Sequence, residues 1–230
     1  MLRKDLIKKS PAVQIMGEAY LGQGEFGAVV SRAGVGKTQF LVQIAISWLL
    51  DGKRVIHISL DDSLDKINLR YKEGYNSLID YVGYIDPLKA NRLWEDVDTL
   101  KFGIQYNKQT FKSDNIRDYL SALKKDNLEM PAMIIVDGID FDSDCTAVLD
   151  DLSMLASDFS LAIWFSIQSH REEEFTPEGL PIQLDKVKER FAKAVFLQPR
   201  EDKIQVVTLK DGDRAGEIHI IEPATMMMTL

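Results

Sequence analysis

The chain has 230 residues, a length that a single α/β domain commonly covers. Hydrophobic residues make up 45% and charged residues 28%, so the composition is that of a globular protein and excludes a mainly disordered chain. The net charge of −8 argues against a surface wrapped on nucleic acid or on anionic lipid.

The cysteine content and the hydropathy pattern bear on the compartment. Cys145 is the single cysteine, so no intrachain disulfide can form. No apolar run approaches the roughly 18 residues of a membrane span, and residues 1–10 are not followed by the apolar core of a signal peptide. We therefore expect a cytoplasmic protein without a membrane partner.

Continuous apolar runs rich in Val and Ile predict strands that are buried on both faces, as in a parallel sheet. The last two of these runs flank residues 211–216, whose Asp and Gly content predicts a hairpin turn, so the sheet should end antiparallel. The predicted strands are Phe26–Val30, Val55–Leu60, Met133–Val136, Leu161–Ile167, Ala194–Leu197, Ile204–Leu209 and Ile218–Ile221.

Helical periodicity lies between the early strands. Gln39–Leu50 is apolar apart from one narrow polar stripe, which predicts a mostly buried helix. Ser113 is a candidate N-cap of a second helix, and Thr146–Ser157 predicts a third. The segment before Ser113 is less regular, with helical pieces near 87–100 and a possible edge strand at 102–106.

The alternation of strands and helices predicts an α/β fold over residues 1–230, with a mainly parallel, twisted sheet flanked by helices. No repeat or linker divides the chain, so we expect a single domain. Residues 1–20 would be an N-terminal extension, and residues 223–230 a C-terminal tail.

Residues 26–40, FGAVVSRAGVGKTQF, lead from a strand through a glycine-bearing loop into the buried helix. Such a loop and helix N-terminus cradle phosphates, with Lys37 between the β- and γ-phosphates of ATP and Thr38 as a Mg²⁺ ligand. Ser31 replaces the first glycine of the pattern G-x-x-x-x-G-K-[ST], so an ordinary loop with a solvated lysine is the alternative. The predicted ATP-binding residues are Ser31, Arg32, Ala33, Gly34, Val35, Gly36, Lys37, Thr38 and Gln39.

A nucleotide site of this kind calls for an aspartate at the end of another buried strand. Asp137 directly follows the run Met133–Val136. Its carboxylate would hold Mg²⁺ together with Thr38. The alternative is a strand-end turn residue without a metal role.

Four segments are informative when they are taken together, and they are LGQGEFGAVVSRAGVGKTQFLVQIA, VIHISLDD, MIIVDG and WFSIQS. These segments resemble the RecA-like P-loop ATPases, and most of all their KaiC and DnaB-type branch. The resemblance covers about residues 22–222. It implies a catalytic acid just after the second strand, where Asp61 and Asp62 stand in place of the usual Glu. The shorter side chain favours slow hydrolysis, and capping of the following helix is the alternative role.

The same resemblance implies two further functional positions. Gln168 matches the polar sensor of the γ-phosphate, with a plain strand-end amide as the alternative. Lys210 and Arg214 lie where this branch carries a Lys-x-Arg finger that reaches the ATP site of a neighbouring subunit. Their spacing differs from that motif, so a solvated turn is a competing interpretation. A finger acting in trans would imply a homo-oligomer, either a ring or a filament.

Nucleic acid is not a favoured partner. The loops that bind single strands in RecA and DnaB relatives need Lys, Arg and aromatic residues. Here residues 138–161 contain six Asp and no Lys or Arg, and residues 170–175 read HREEEF. We therefore expect an ATPase whose nucleotide state controls assembly or the binding of a protein partner. The alternatives are a DNA-dependent recombinase or helicase-type ATPase, and an ATP-binding module with negligible turnover.

Overall fold

The computed structural model describes residues 2–17, 20–170, 175–177 and 179–229. Over these residues the strands form one sheet in the order β3-β2-β4-β5-β1-β6-β7-β8. Neighbours from β3 through β6 are parallel, whereas β6–β7 and β7–β8 are antiparallel. The strands are β1 (Phe26–Arg32), β2 (Val55–Ser59), β3 (Lys101–Gln105), β4 (Met133–Asp137), β5 (Ala162–Ser169), β6 (Phe191–Arg200), β7 (Lys203–Lys210) and β8 (Ile218–Ile221).

Helices cover both faces of this sheet. In the described ranges none of them combines the length and apolarity needed to traverse a bilayer. The helices are α1 (Leu2–Lys9), α2 (Pro11–Met16), α3 (Lys37–Leu50), α4 (Leu64–Val82), α5 (Pro87–Asp98), α6 (Ser113–Lys125), α7 (Thr146–Phe159) and α8 (Ile182–Asp185).

Successive residues of the central strands face two separate hydrophobic cores, because side chains alternate along a strand. On β1, Val29 packs into the core formed with α3 and α4, while Ala28 and Val30 pack into the core formed with α6 and α7. Both faces of β1, β2 and β4 are therefore buried, as the continuous apolar runs predict. The mainly parallel sheet with its C-terminal antiparallel hairpin is confirmed.

Helix α3 fills the centre of the first core, and its polar stripe has a structural role. The Gln43 side chain donates a hydrogen bond of 3.2 Å to the carbonyl of Gly74 on α4, and Gln39 donates one of 3.4 Å to the carbonyl of Arg70. The stripe therefore faces α4 rather than water. This contact fixes α4 beside the helix that begins at the phosphate loop.

Both ends of the chain pack into the first core. Leu6 of α1 and Ile15 of α2 are fully buried there, and Met226 and Met227 are almost completely buried. The segment called an N-terminal extension thus consists largely of two packed helices, and the C-terminal tail also lies against the domain.

One local prediction is wrong, and one region is more regular than predicted. Ser113 is the first residue of α6 rather than its N-cap, which is Lys112, and the Ser113 hydroxyl donates to Asp151 at 3.1 Å. The segment after β2 contains the 19-residue helix α4, which the sequence analysis did not assign.

Candidate functional site

The carboxyl ends of β1, β2, β4 and β5 meet at one edge of the sheet, as they must in a parallel arrangement. A cavity of about 430 Å³ opens there. Its walls combine the phosphate loop with the residues that follow the strands. Among the lining residues are Ala33, Gly34, Lys37, Thr38, Asp61, Asp62, Lys66, Arg70, Lys108, Asp137, Ser166 and Gln168.

The predicted phosphate loop has the backbone conformation that a phosphate cradle requires. Gly34 and Gly36 have φ values of 77° and 113°, which residues with a side chain rarely adopt. Gly36 is also the N-cap of α3, so the first amides of that helix have no partner within the helix. Positively polarised N–H groups at a helix start favour an anion in front of them.

Ser31 lies within β1, one residue beyond the predicted end of this strand at Val30. It pairs with Gln168 of β5 and with Leu197 of β6, so its backbone is extended between two strands. Its buried hydroxyl donates a hydrogen bond of 2.9 Å to the carbonyl of Arg32. At this position the chain is still an extended strand, a conformation that does not require glycine.

The ammonium group of Lys37 closes the loop. Its Nζ donates to the carbonyls of Ser31 and Arg32, at 3.2 Å each. Burial lowers the pKa of Lys37 below its ordinary value of 10.5, although the negative charges of Asp137 and Asp61 oppose that shift. The lysine is therefore held at the cavity by contacts that an incoming anion can replace.

Not all of the predicted ATP-binding residues line this cavity. Ala33, Gly34, Lys37 and Thr38 do, whereas the contribution of Ser31 and Arg32 is their carbonyl groups. A second cavity of about 590 Å³ lies on the other side of the loop. It is lined by, among others, Gly34, Val35, Gly36, Gln39, Arg70, Asn76, Pro223, Ala224 and Met226.

Thr38 and Asp137 form the shortest contact between the loop and the neighbouring strands. The Thr38 hydroxyl donates to Oδ2 of Asp137 at 2.6 Å, across 99 residues of sequence. Both are hard oxygen donors, the type that Mg²⁺ prefers. In the described part of the chain no group of three or more His, Cys, Asp or Glu side chains could hold a metal. The pair fits a Mg²⁺ ion that also takes phosphate and water ligands.

Contacts around Asp137 keep its carboxyl group ionised. Burial by itself would raise its pKa, but His57 and hydrogen bonds from Ser166 and Thr38 lower the pKa below its usual value. Nε2 of His57 lies 3.9 Å from Oδ2 of Asp137, and Nδ1 lies 3.1 Å from the hydroxyl of Tyr71. An ionised carboxylate is the form that binds a cation.

Asp61, which follows β2, is one of the carboxylates that line the cavity. Its side chain is 60% exposed, and its Oδ1 forms an ion pair of 2.7 Å with Nζ of Lys108. A Cβ on Gly138, whose φ is 108°, would lie only 2.7 Å from Oδ2 of Asp61. Because Gly138 has no side chain, the carboxylate of Asp61 fits beside the residue that follows Asp137.

Asp62 has different surroundings. It is paired with Lys66 at 2.6 Å and with Arg70 at 3.2 Å, both on α4. Neither Asp61 nor Asp62 caps that helix, because Ser63 is the N-cap and accepts a hydrogen bond from the amide of Lys66. Of the two candidates, Asp61 is the more exposed carboxylate and is paired with one cation, Lys108, whereas Asp62 is paired with two.

Gln168 lies at the end of β5, level with Ser31 of β1, and its side chain is exposed at the cavity. It is therefore placed near the phosphate loop.

Lys210 and Arg214 do not line this cavity. Nζ of Lys210 donates to the carbonyl of Lys188 at 2.9 Å. Nη2 of Arg214 donates to the carbonyl of Ile15 at 2.8 Å and pairs with Glu217 at 2.8 Å. Both cations therefore contact groups of their own chain, away from the phosphate loop.

Sequence reasoning missed Lys108, Ser166 and His57 as residues of this region. Ser166 lies inside the predicted strand β5 and His57 inside β2, where a polar residue in an apolar run is the available signal. Lys108 follows the edge strand β3, and its proximity to Asp61 depends on the order of strands, which the sequence analysis did not derive.

No protein-family model and no curated protein sequence matches the chain. Among solved structures, one described as an ATPase domain superposes with a TM-score of 0.65, covering 91% of this chain and 86% of that chain. The fold is RecA-like. The two sequences are 13% identical, so the likeness concerns the fold alone.

Proposed function

We propose that this protein binds ATP with Mg²⁺ and hydrolyses it slowly at the strand-end cavity. The observation that carries the proposal is the 2.6 Å contact between Thr38 and Asp137 directly beside Lys37 at the start of α3. It joins a phosphate cradle to a metal-binding carboxylate. This combination of a glycine loop, a lysine and a Thr–Asp contact is not expected of an ordinary surface loop.

The triphosphate would replace the carbonyl groups that now hold the ammonium of Lys37. The amides from Gly34 to Thr38 would surround the phosphate oxygens, and Lys37 would neutralise charge between the β- and γ-phosphates. Thr38 and Asp137 would hold Mg²⁺, which reduces the charge of the phosphates when it is bound. The side chains of Lys37, Thr38 and Asp137 already face the same cavity.

The second cavity supports a nucleotide rather than a phosphate ion alone. It shares Gly34 with the first cavity and has a volume of about 590 Å³. Gln39 and Asn76 offer hydrogen-bonding groups, while Pro223 and Met226 offer apolar surface. A base and ribose can occupy such a mixed pocket while the phosphates lie in the loop.

Asp61 is the residue that we assign to the attacking water. Its carboxylate would accept a proton from the water as the water oxygen bonds to the γ-phosphorus. The bond from that phosphorus to the β–γ bridging oxygen breaks, giving ADP and inorganic phosphate. Gln168 would sense the terminal phosphate from β5. Asp is one methylene shorter than Glu, which favours a slow reaction.

We also propose that the nucleotide state controls assembly into a ring or filament, or contact with a protein partner. Lys210 and Arg214 are candidates to complete the site of a neighbouring subunit, since they do not line the cavity of their own chain. Their contacts with the carbonyls of Lys188 and Ile15 would have to be released for that role.

A DNA-dependent motor is supported less well. Asp140, Asp142 and Asp144 are exposed on the loop after β4, and the first two line the cavity. Such charges repel a phosphate backbone. Of the acidic segment after β5, residues 171–174 lie outside the described residues. We expect no saturable binding of single-stranded DNA at near-physiological salt.

Isothermal calorimetry of ATP binding tests the proposed site, with Mg²⁺ and with a chelator, on wild type and two Thr38 variants. We expect Thr38→Val to lose the Mg²⁺-dependent part of the affinity, because it removes the hydroxyl while keeping the shape. Thr38→Ser, the matched control, should retain it. Equal affinity of all three proteins, or no ATP binding by wild type, would contradict the proposal.

A further inference from the structure

Four cationic side chains line the strand-end cavity within the described residues. Lys37 belongs to the phosphate loop, and Lys66 and Arg70 both pair with Asp62. The fourth, Lys108, comes from the loop that follows the edge strand β3 and has no role in the site as described so far.

The position of Lys108 follows from the order of the sheet. β3 pairs in parallel with β2, so the carboxyl ends of the two strands lie side by side. The amide of Tyr106 donates to the carbonyl of Ser59 at 3.0 Å, and Ser59 lies two residues before Asp61 in the chain. This pairing brings the loop after β3 beside the strand-end acids.

The loop that carries Lys108 is held at both ends. The amides of Thr110 and Phe111 donate to the carbonyl of Asn107, at 3.0 Å and 2.9 Å. The rings of Tyr106 and Phe111 contact each other with centroids 5.8 Å apart. Lys108 therefore projects from a turn whose backbone is held by these contacts.

The partner of Lys108 is an exchangeable one. Its Nζ lies 2.7 Å from Oδ1 of Asp61, and the two side chains are 44% and 60% exposed. Ion pairs between partly exposed groups contribute little to stability, since water screens them. A triphosphate in the cavity presents more negative charge than one carboxylate and would compete for the same ammonium group.

We propose that Lys108 contacts the terminal phosphate of bound ATP within its own chain, moving there from Asp61. The contact would add positive charge at the γ-phosphate without help from a neighbouring subunit. It would also leave the carboxylate of Asp61 free to accept the proton of the attacking water. The inference rests on the proposed ATP site and names a further substrate-contacting residue of it.

The test compares the affinities of fluorescently labelled ATP and ADP, since only ATP carries the γ-phosphate. Lys108→Gln should weaken ATP binding about tenfold, as expected for loss of one charge-assisted contact, and leave ADP binding unchanged. Lys108→Arg should retain most of the ATP affinity. Lys112→Gln is the matched control from the far end of the same loop and should alter neither.

The outcomes separate this inference from the proposed function. If wild type binds no ATP, the proposed function itself fails. If wild type binds ATP but Lys108→Gln weakens ATP and ADP equally, or weakens neither, the γ-phosphate contact is wrong. Faster phosphate release by Lys108→Gln would likewise overturn it, because Lys108 would then act only as a block on Asp61.

Discussion

Two regions of the molecule carry cations that we propose for contacts with phosphate, and the sheet places these two groups at opposite ends of its strands. At the carboxyl edge of the parallel strands, Lys37 and Lys108 face the cavity. On the C-terminal hairpin, Lys210 and Arg214 donate to main-chain carbonyls of the same chain. Neither of the hairpin cations faces the cavity of its own subunit.

Strand direction explains the difference. β7 runs antiparallel to β6, and Lys210 at its end is level with Ala194 near the start of β6. The end of β7 therefore lies at the opposite edge of the sheet from the phosphate loop. In a parallel sheet, the carboxyl ends of all strands lie on the same side of the sheet. A strand that runs antiparallel to its neighbour has its carboxyl end on the opposite side. The position of a residue along its strand thus decides which charges can act together.

The largest effect is expected at the cavity, for Lys37→Ala. Its ATP affinity should fall about 30- to 150-fold, because a charge-assisted contact to phosphate contributes about 2–3 kcal/mol. Calorimetry measures this loss, and Lys125→Ala, at an exposed lysine that ends α6, is a control that should bind as wild type does. If Lys37→Ala binds ATP as tightly as wild type does, the assignment of this loop as the phosphate-binding loop is wrong.

Asp61→Asn should lower turnover at least about tenfold while ATP still binds, since a general base acts in the transition state. Asp62→Asn is the matched neighbour, and its carboxylate is already paired with Lys66 and Arg70. We expect a smaller loss there in steady-state phosphate release. If Asp62→Asn is inactive and Asp61→Asn is normal, the roles are exchanged.

The hairpin side of the comparison is tested by Arg214→Ala. Because the guanidinium holds the carbonyl of Ile15, we expect a loss of about 1 kcal/mol of stability, measured by chemical denaturation. A trans role predicts in addition a lower turnover at unchanged ATP affinity. Mixing Arg214→Ala with Asp61→Asn subunits should then recover part of the activity. No recovery, together with a monomer by light scattering in ATP, would exclude that role.

The smallest expected effect is on the pH dependence of ATP binding. Lys37 must be protonated to hold a phosphate, and burial lowers its pKa below 10.5 in the free protein. Affinity should be full at neutral pH and decline as pH rises through this lowered pKa, with proton uptake on binding there. Calorimetry in buffers of different ionisation enthalpy detects the uptake, and Lys37→Ala should lack it.

The sequence was sufficient for the features that depend on local order. The glycine-bearing loop before α3, the strand ending in Asp137 and the buried helix after Gly36 each follow from a short run of residues. The hairpin was also predictable, because its turn residues lie between two apolar runs.

What the sequence could not provide depends on strand order. Lys108 reaches Asp61 because β3 lies beside β2, and no sequence motif near residues 101–112 predicts that these two strands pair. Helix α4 could have been found, since Ser63 is followed by buried residues at helical spacing, including Ile67, Tyr71 and Leu78. The packing of α1 and α2 depends on tertiary contacts of short helices, which periodicity alone does not resolve.

Phosphate release from ATP in a single turnover tests the central claim most directly. Wild-type protein in excess over radiolabelled ATP with Mg²⁺ should convert the nucleotide to ADP and phosphate slowly, and a chelator should stop the conversion. Lys37→Ala should show no conversion under the same conditions. Release at the same rate by Lys37→Ala, or stable ATP in a wild-type complex over many hours, would contradict the assignment of ATP hydrolysis to this cavity.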